Sequence, residues 1–144
     1  DCWQVTITAI QRRKIREQSG HCCEYCRISE NGRLARFHVD HIIAIKHGGI
    51  DTDNNLCLSC PKCNAYKGSN VAALDPKTGE APKLYHPRNQ RWDLHFRIHS
   101  DATLTGLTPE GRTTIAVLKI SNALRELNQA IIPAKKVKVY RSAE

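Results

Sequence analysis

Residues 37–46, FHVDHIIAIK, alternate with a period of two. Phe37, Val39, His41, Ile43 and Ile45 share one face, and His38, Asp40, Ile42, Ala44 and Lys46 share the other. This pattern predicts a strand over 36–45. A histidine interrupts its more apolar face, directly after an aspartate, and both groups need partners if buried. Upstream, Thr8 and Gln11 fit a capping box and Gly20 a helix stop, so 8–19 is predicted helical. ENGRL (30–34) is a turn and KHGGIDTDNN (46–55) a polar loop. LCLSC (56–60) is a short strand, and Pro61 opens a helix predicted over 61–74.

Residues 75–89, rich in Pro, Gly and charge, mark the expected boundary between a front domain, 1–74, and an extension, 75–144, packed on it. Behind the boundary, Leu94, Phe96 and Ile98 alternate with polar residues over 93–99. That strand is expected to pair with ATLTGL (102–107) through a turn at Ser100–Asp101. Val117, Ile120, Leu124 and Leu127 give 113–129 an amphipathic helical pattern that can cover a core containing Trp92 and Phe96. Short strands mixed with helices make the fold class α+β.

The chain has 144 residues, 40% apolar and 25% charged, which suits one compact domain with an extension rather than a disordered chain. No apolar run reaches membrane-spanning length, and no signal-peptide pattern opens the sequence, so a cytoplasmic location is expected. Net charge is +8, with basic clusters at 12–16 and 135–141, which favours a polyanionic partner such as nucleic acid.

Seven cysteines, an odd count without an export signal, argue against a disulfide framework. Cys23 and Cys26 form one Cx2C pair, and Cys60 and Cys63 another. Together they can present four thiolates to one tetrahedral Zn²⁺, stapling the ends of the segment between them. Such a closed site would be structural; a disulfide or redox pair is the alternative. Cys2, Cys22 and Cys57 are left as small buried residues or free thiols.

Between and after the cysteine pairs stand Asp40–His41, Asn54–Asn55 and Asn64. The order Cx2C, DH, NL, Cx2CN, in the run VDHI…GG…DNNL…CPKCNAYKG, resembles the HNH endonuclease family, in its zinc-stapled bacterial type, over about residues 20–70. The resemblance implies a ββα-metal core, with a helix packed across a two-stranded hairpin. It makes Asp40 and Asn64 ligands of a catalytic divalent ion and His41 the general base, with Asn55 holding the loop and orienting His41. Asn64 replaces the histidine many members carry, an HNN variant. It further implies hydrolysis of DNA, with RNA not excluded, to 5′-phosphate and 3′-hydroxyl ends.

The residue types suit that chemistry. A neutral imidazole can take a proton from water near neutral pH. A carboxylate and an amide oxygen favour Mg²⁺ or Mn²⁺ over zinc. Adjacent strand residues point to opposite sides, so for Asp40 and His41 to share a site a bend, bulge or strong twist is expected there. Lys67, His47, Arg88 and Arg91 are candidate phosphate contacts. The spacing of His86, His95 and His99 matches no ligand set. Two other readings are a zinc-stabilised nucleic-acid-binding module without cleavage and a zinc domain that binds protein; the positive charge disfavours the latter.

Overall fold

A computed structural model describes residues 7–120. Helix α1 (Ala9–Gln18) is capped as expected: Thr8 accepts from the Gln11 backbone, the Gln11 side chain answers the Thr8 backbone, and Ser19 closes the last turn. Strands β1 (His38–His41) and β2 (Leu56–Ser59) form an antiparallel pair with register His38 to Ser59 and His41 to Leu56. Helix α2 (Pro61–Lys67) follows at once and packs on both strands.

β1 is shorter than the alternation predicts. Its ladder runs through Asp40 and His41 without a bulge, and the bend follows them, at Ile42–Ile43. A 3₁₀ turn takes Ile45–His47. α2 stops at Lys67 rather than 74, because Gly68 has φ +51° and Ala72 then bridges to Lys83.

In the extension, residues 92–95 form a helical turn, α3 (Trp92–His95), where a strand was expected. Leu94 is therefore exposed while Trp92 and Phe96 are buried. Strand β3 (Phe96–Ile98) pairs with β4 (Leu104–Gly106), as the turn at 100–101 predicts. Helix α4 (Pro109–Val117) begins four residues before the predicted start, capped by Thr108. Cys2, Leu124, Leu127 and the 135–141 basic cluster lie outside the described residues.

One apolar cluster runs through front and extension, from Ile15, Tyr25, Val39 and Leu58 to Tyr85, Trp92, Phe96 and Leu118. Trp92 stacks on Phe96 and donates its indole N–H to the Tyr25 carbonyl at 2.8 Å. Two ion pairs add clamps. Buried Glu24, between Cys23 and Cys26, accepts from the Leu58 backbone and pairs with Arg88. Buried Asp75 pairs with Arg112 of α4, which holds its carboxyl well below the usual range. Among the described residues no helix is long and apolar enough to cross a membrane.

Candidate active site and metal centre

Each Cx2C pair sits where the backbone turns tightly. Arg27 takes φ +63° after Cys26, and its N–H bonds the Cys23 carbonyl at 2.8 Å. Cys60 is the N-cap of α2, so Cys63 lies one turn into the helix. The four sulfurs all fall within 4.8 Å of one another, and Cys26 Sγ is 3.8 Å from Cys60 Sγ. That matches the edge, about 3.8 Å, of a tetrahedron with Zn–S bonds of about 2.3 Å. The N–H groups of Cys26 and Cys63 donate to Cys23 Sγ and Cys60 Sγ at 3.5 and 3.4 Å, which favours thiolates.

Electrostatics within the cluster point the same way. Hydrogen bonds from Cys23, then Cys26 and Cys63, hold Cys60 far below the ordinary thiol range. The shared bonds, led by that with Cys23, push Cys26 and Cys63 far above it. A divalent cation would offset the repulsion among ionised thiols held this close together. The cluster could hold zinc, and with all four residues buried it offers no open position. No disulfide joins the described cysteines. Cys22 and Cys57 are buried free thiols, and burial pushes the Cys57 thiol far up.

The Asp-His pair lies on the outer end of β1. Val39 is buried and His38 exposed, while Asp40 and His41 are half-buried. His41 Nε2 hydrogen-bonds Asp51 Oδ1, both side chains being largely covered. Opposite an ionised carboxylate, which can only accept, a neutral imidazole would carry its proton on Nε2 and keep a lone pair on Nδ1. Asp51 is a residue the sequence reading missed. Its only signal was its place in the polar loop, ten residues after His41.

Asn55 does not hydrogen-bond His41. Its side chain makes three bonds to the loop: Oδ1 accepts from Ile43 N at 2.9 Å, and Nδ2 donates to the carbonyls of Ile43 and Ile50 at 3.0 and 2.8 Å. Its own carbonyl accepts from Ile42 N. Buried Asn55 thus fastens the chain just after His41 to the chain just before Asp51. The Asn54 side chain accepts from the Thr52 hydroxyl, as a turn residue. Gly49 is required by proximity, since a Cβ there would lie 1.8 Å from the Ile43 carbonyl oxygen.

Asn64 is half-buried on α2, which packs on β1. It lies three residues before Lys67, on the same helix side. The Lys67 ammonium is buried and donates to the Ile42 carbonyl at 2.7 Å. Burial lowers its pKa, while the Asp40 carboxylate acts in the opposite direction. α2 thus packs on the strand that carries Asp40, and Lys67 ties it to the bend that follows His41. Lys67, expected as a phosphate contact, directs its ammonium to the bend after His41.

Arg88, another expected phosphate contact, also has an internal partner. It is half-buried and pairs with the Glu24 carboxylate. Arg91 is exposed and pairs with Asp93 at 3.1 Å. His47 lines a cleft of about 590 Å³ with Ile42, Lys67, Lys83 and His86, among others, between the hairpin and the extension. His86, His95 and His99 form no set: His86 Nδ1 accepts backbone N–H groups, and the other two bond Thr108 and Thr105.

The comparisons with known proteins agree with this anatomy. Residues 23–70, from the first ligand cysteine to just past α2, match the family model of the HNH endonucleases. A search of curated proteins and a search of solved structures each returned no match. The match implies nuclease-type activity; HNH domains act on nucleic acids and use divalent metals.

Proposed function

Taking as premise that residues 23–70 are an HNH segment, we propose that the protein is a metal-dependent DNA endonuclease. One observation carries the reading: His41, beside Asp40 on β1, is held through Nε2 by Asp51, an arrangement that suits Nδ1 to the role of base. In this reading Nδ1 takes a proton from the attacking water as its oxygen bonds to phosphorus. The phosphorus–3′-oxygen bond breaks, and the departing oxygen is protonated from solvent. Asp51 is a positioning residue that fixes the tautomer and ring direction and stabilises the imidazolium. Asn55 keeps the two sides of the loop in register.

Asp40 and Asn64 would hold Mg²⁺ or Mn²⁺ through a carboxylate and an amide oxygen, a hard donor set that suits those ions. The bound ion would stabilise charge on the phosphate and the leaving oxygen. The four cysteines would hold zinc in a structural role only. The residues of the chain supply the base, its orientation and the ligand oxygens.

Supercoiled plasmid tests the proposal. Wild-type protein with Mg²⁺ or Mn²⁺ is expected to nick or linearise it. His41→Ala is expected to lose about 10²–10⁴-fold in rate while still binding plasmid. Asp51→Asn is expected to lose about 10–100-fold, the scale of removing a group that orients another. Its melting temperature should stay close to that of wild type. Wild-type binding without cleavage under any divalent ion would replace the nuclease with a non-cleaving zinc module.

A further inference from the structure

Lys67 and Arg88 each have an internal partner, whereas α1 carries exposed arginines on one side. Ala9, Arg12, Arg13 and Arg16 recur at helical spacing and fall within an arc of about 100°. The buried residue of α1, Ile15, is on another side, as are Gln11 and Lys14, which reach the Asp51 carbonyl (2.8 Å) and the Asp53 carboxylate (2.6 Å). The arginine side faces a groove of about 530 Å³, completed by Glu17, His21 and Arg36.

The groove is strongly unbalanced. Four guanidinium groups line it against a single carboxylate, that of Glu17. Arg16 is anchored, donating to the Phe37 carbonyl and facing Glu30 at 3.7 Å. Arg12, Arg13 and Arg36 are exposed, and no side chain among the described residues pairs with them. A concave surface of one sign focuses its field on a counter-ion. Guanidinium forks match phosphate oxygens. No Phe, Tyr or Trp lines the groove, so it offers charge without a stacking platform for bases.

Its position relative to the reacting groups is also set. Arg16 ties the groove to Phe37, three residues before Asp40, a distance of about 10 Å along a strand. That equals about three base steps of duplex at 3.4 Å each. The opposite side of the same helix holds the loop that carries Asp51.

We infer that the α1 groove, through Arg12, Arg13 and Arg36, grips the phosphodiester backbone of the substrate a few nucleotides from the scissile bond. This rests on the nuclease reading for its substrate, and it makes binding through the groove independent of sequence.

The test measures binding apart from cleavage. Arg12→Ala/Arg13→Ala/Arg36→Ala is made in full-length His41→Ala protein, and affinity for labelled duplexes of unrelated sequence is followed by fluorescence anisotropy across a salt series. The helix changes put the best helix former at exposed positions, so α1 is expected to persist, and circular dichroism checks it. Affinity should fall at least about tenfold for every duplex, and the slope of log K against log salt should shrink by about 2–3. A control removing two charges outside the groove, Lys77→Ala/Lys119→Ala, should change that slope by less than about 1.

An unchanged slope in the triple variant overturns the groove. So would loss of polyglutamate binding with duplex binding intact, which would assign the surface to an acidic protein instead. Plasmid cleavage is scored separately, on wild-type protein that keeps all three arginines. Cleavage with an unchanged slope discards the groove and keeps the nuclease, whereas a reduced slope without cleavage keeps the contact and discards the nuclease.

Discussion

Two clusters of chemically rich residues share β1, α2 and the loops beside them, yet they are built in opposite ways. The four cysteines are between 0% and 8% exposed, and backbone N–H groups donate to two of their sulfurs. Asp40, His41 and Asn64 are only half-buried. Cys63 and Asn64 are neighbours in sequence, so a single helix serves both clusters. A closed set of thiolates can hold an ion but cannot admit a substrate. An open edge with a base and ligand oxygens can meet one, provided that something else holds it still. The closed cluster is therefore expected to govern whether the chain folds, and the open one how fast it reacts.

The most severe way to break that contrast is Cys60→Ser. Cys60 is at once a candidate zinc ligand and the N-cap of α2. Structural zinc is worth about 10–16 kcal/mol of binding free energy in small zinc peptides, far more than one hydrogen bond. The variant is expected to lose bound zinc and cooperative unfolding together, and a strong chelator should do the same to wild type. Zinc analysis beside a thermal melt checks this. Full zinc content with an unchanged melting temperature would show that the cysteines are not the staple.

A smaller effect is expected where the extension grips the closed cluster. Glu24 lies inside the first Cx2C pair, buried, with Arg88 as its ionic partner. Arg88→Ala would leave that carboxylate buried with only the Leu58 N–H and its own surroundings to meet it, at a cost of about 3–5 kcal/mol. Adding Glu24→Gln should recover part of the loss, because the charge goes while the amide oxygen still accepts from Leu58. Urea titration reads both variants. Zinc content and the rate per folded molecule should hardly move, which would separate this clamp from the chemistry.

The legibility of the sequence follows the same division. The cysteines could be read because a tetrahedral ion demands a fixed local spacing, and the Thr8 cap and the 100–101 hairpin because their rules are equally local. β1 was read too long because alternation continues past His41, while the chain is turned aside by the side chain of Asn55, twelve residues away. α2 was read past Gly68 for the same reason: apolar residues at 71–74 continue the helical pattern, but their chain bridges to Lys83 instead. Charge was the least legible feature. Lys67 and Arg88 read as surface cations in sequence, and only the packed structure supplies the Ile42 carbonyl and the Glu24 carboxylate that draw them inward. Asp51 could not be singled out from other loop acids, because its role depends on a fold-back onto His41.

The mildest perturbation gives the sharpest separation of the two clusters. Gly49 packs so closely under the bend that an added Cβ would fall 1.8 Å from the Ile43 oxygen and 2.9 Å from Asn55 Nδ2. Both are backbone-fastening atoms rather than flexible ends, so Gly49→Ala must push Ile43 away or break an Asn55 bond. Either shift begins two residues after His41 and two before Asp51, and it should pull that pair out of line. Overpacking of this kind costs about 1–3 kcal/mol, less than the loss expected when the cysteine cluster is broken. Gly48→Ala is the matched control, since it meets no atom within 4 Å and suffers only from its φ of +88°. Gly49→Ala is expected to keep its zinc and a cooperative melt while losing plasmid cleavage well beyond what Gly48→Ala loses. Equal activity in the two variants would mean that the reacting edge does not depend on the Asn55 fastening, and that the open cluster is held by β1 alone.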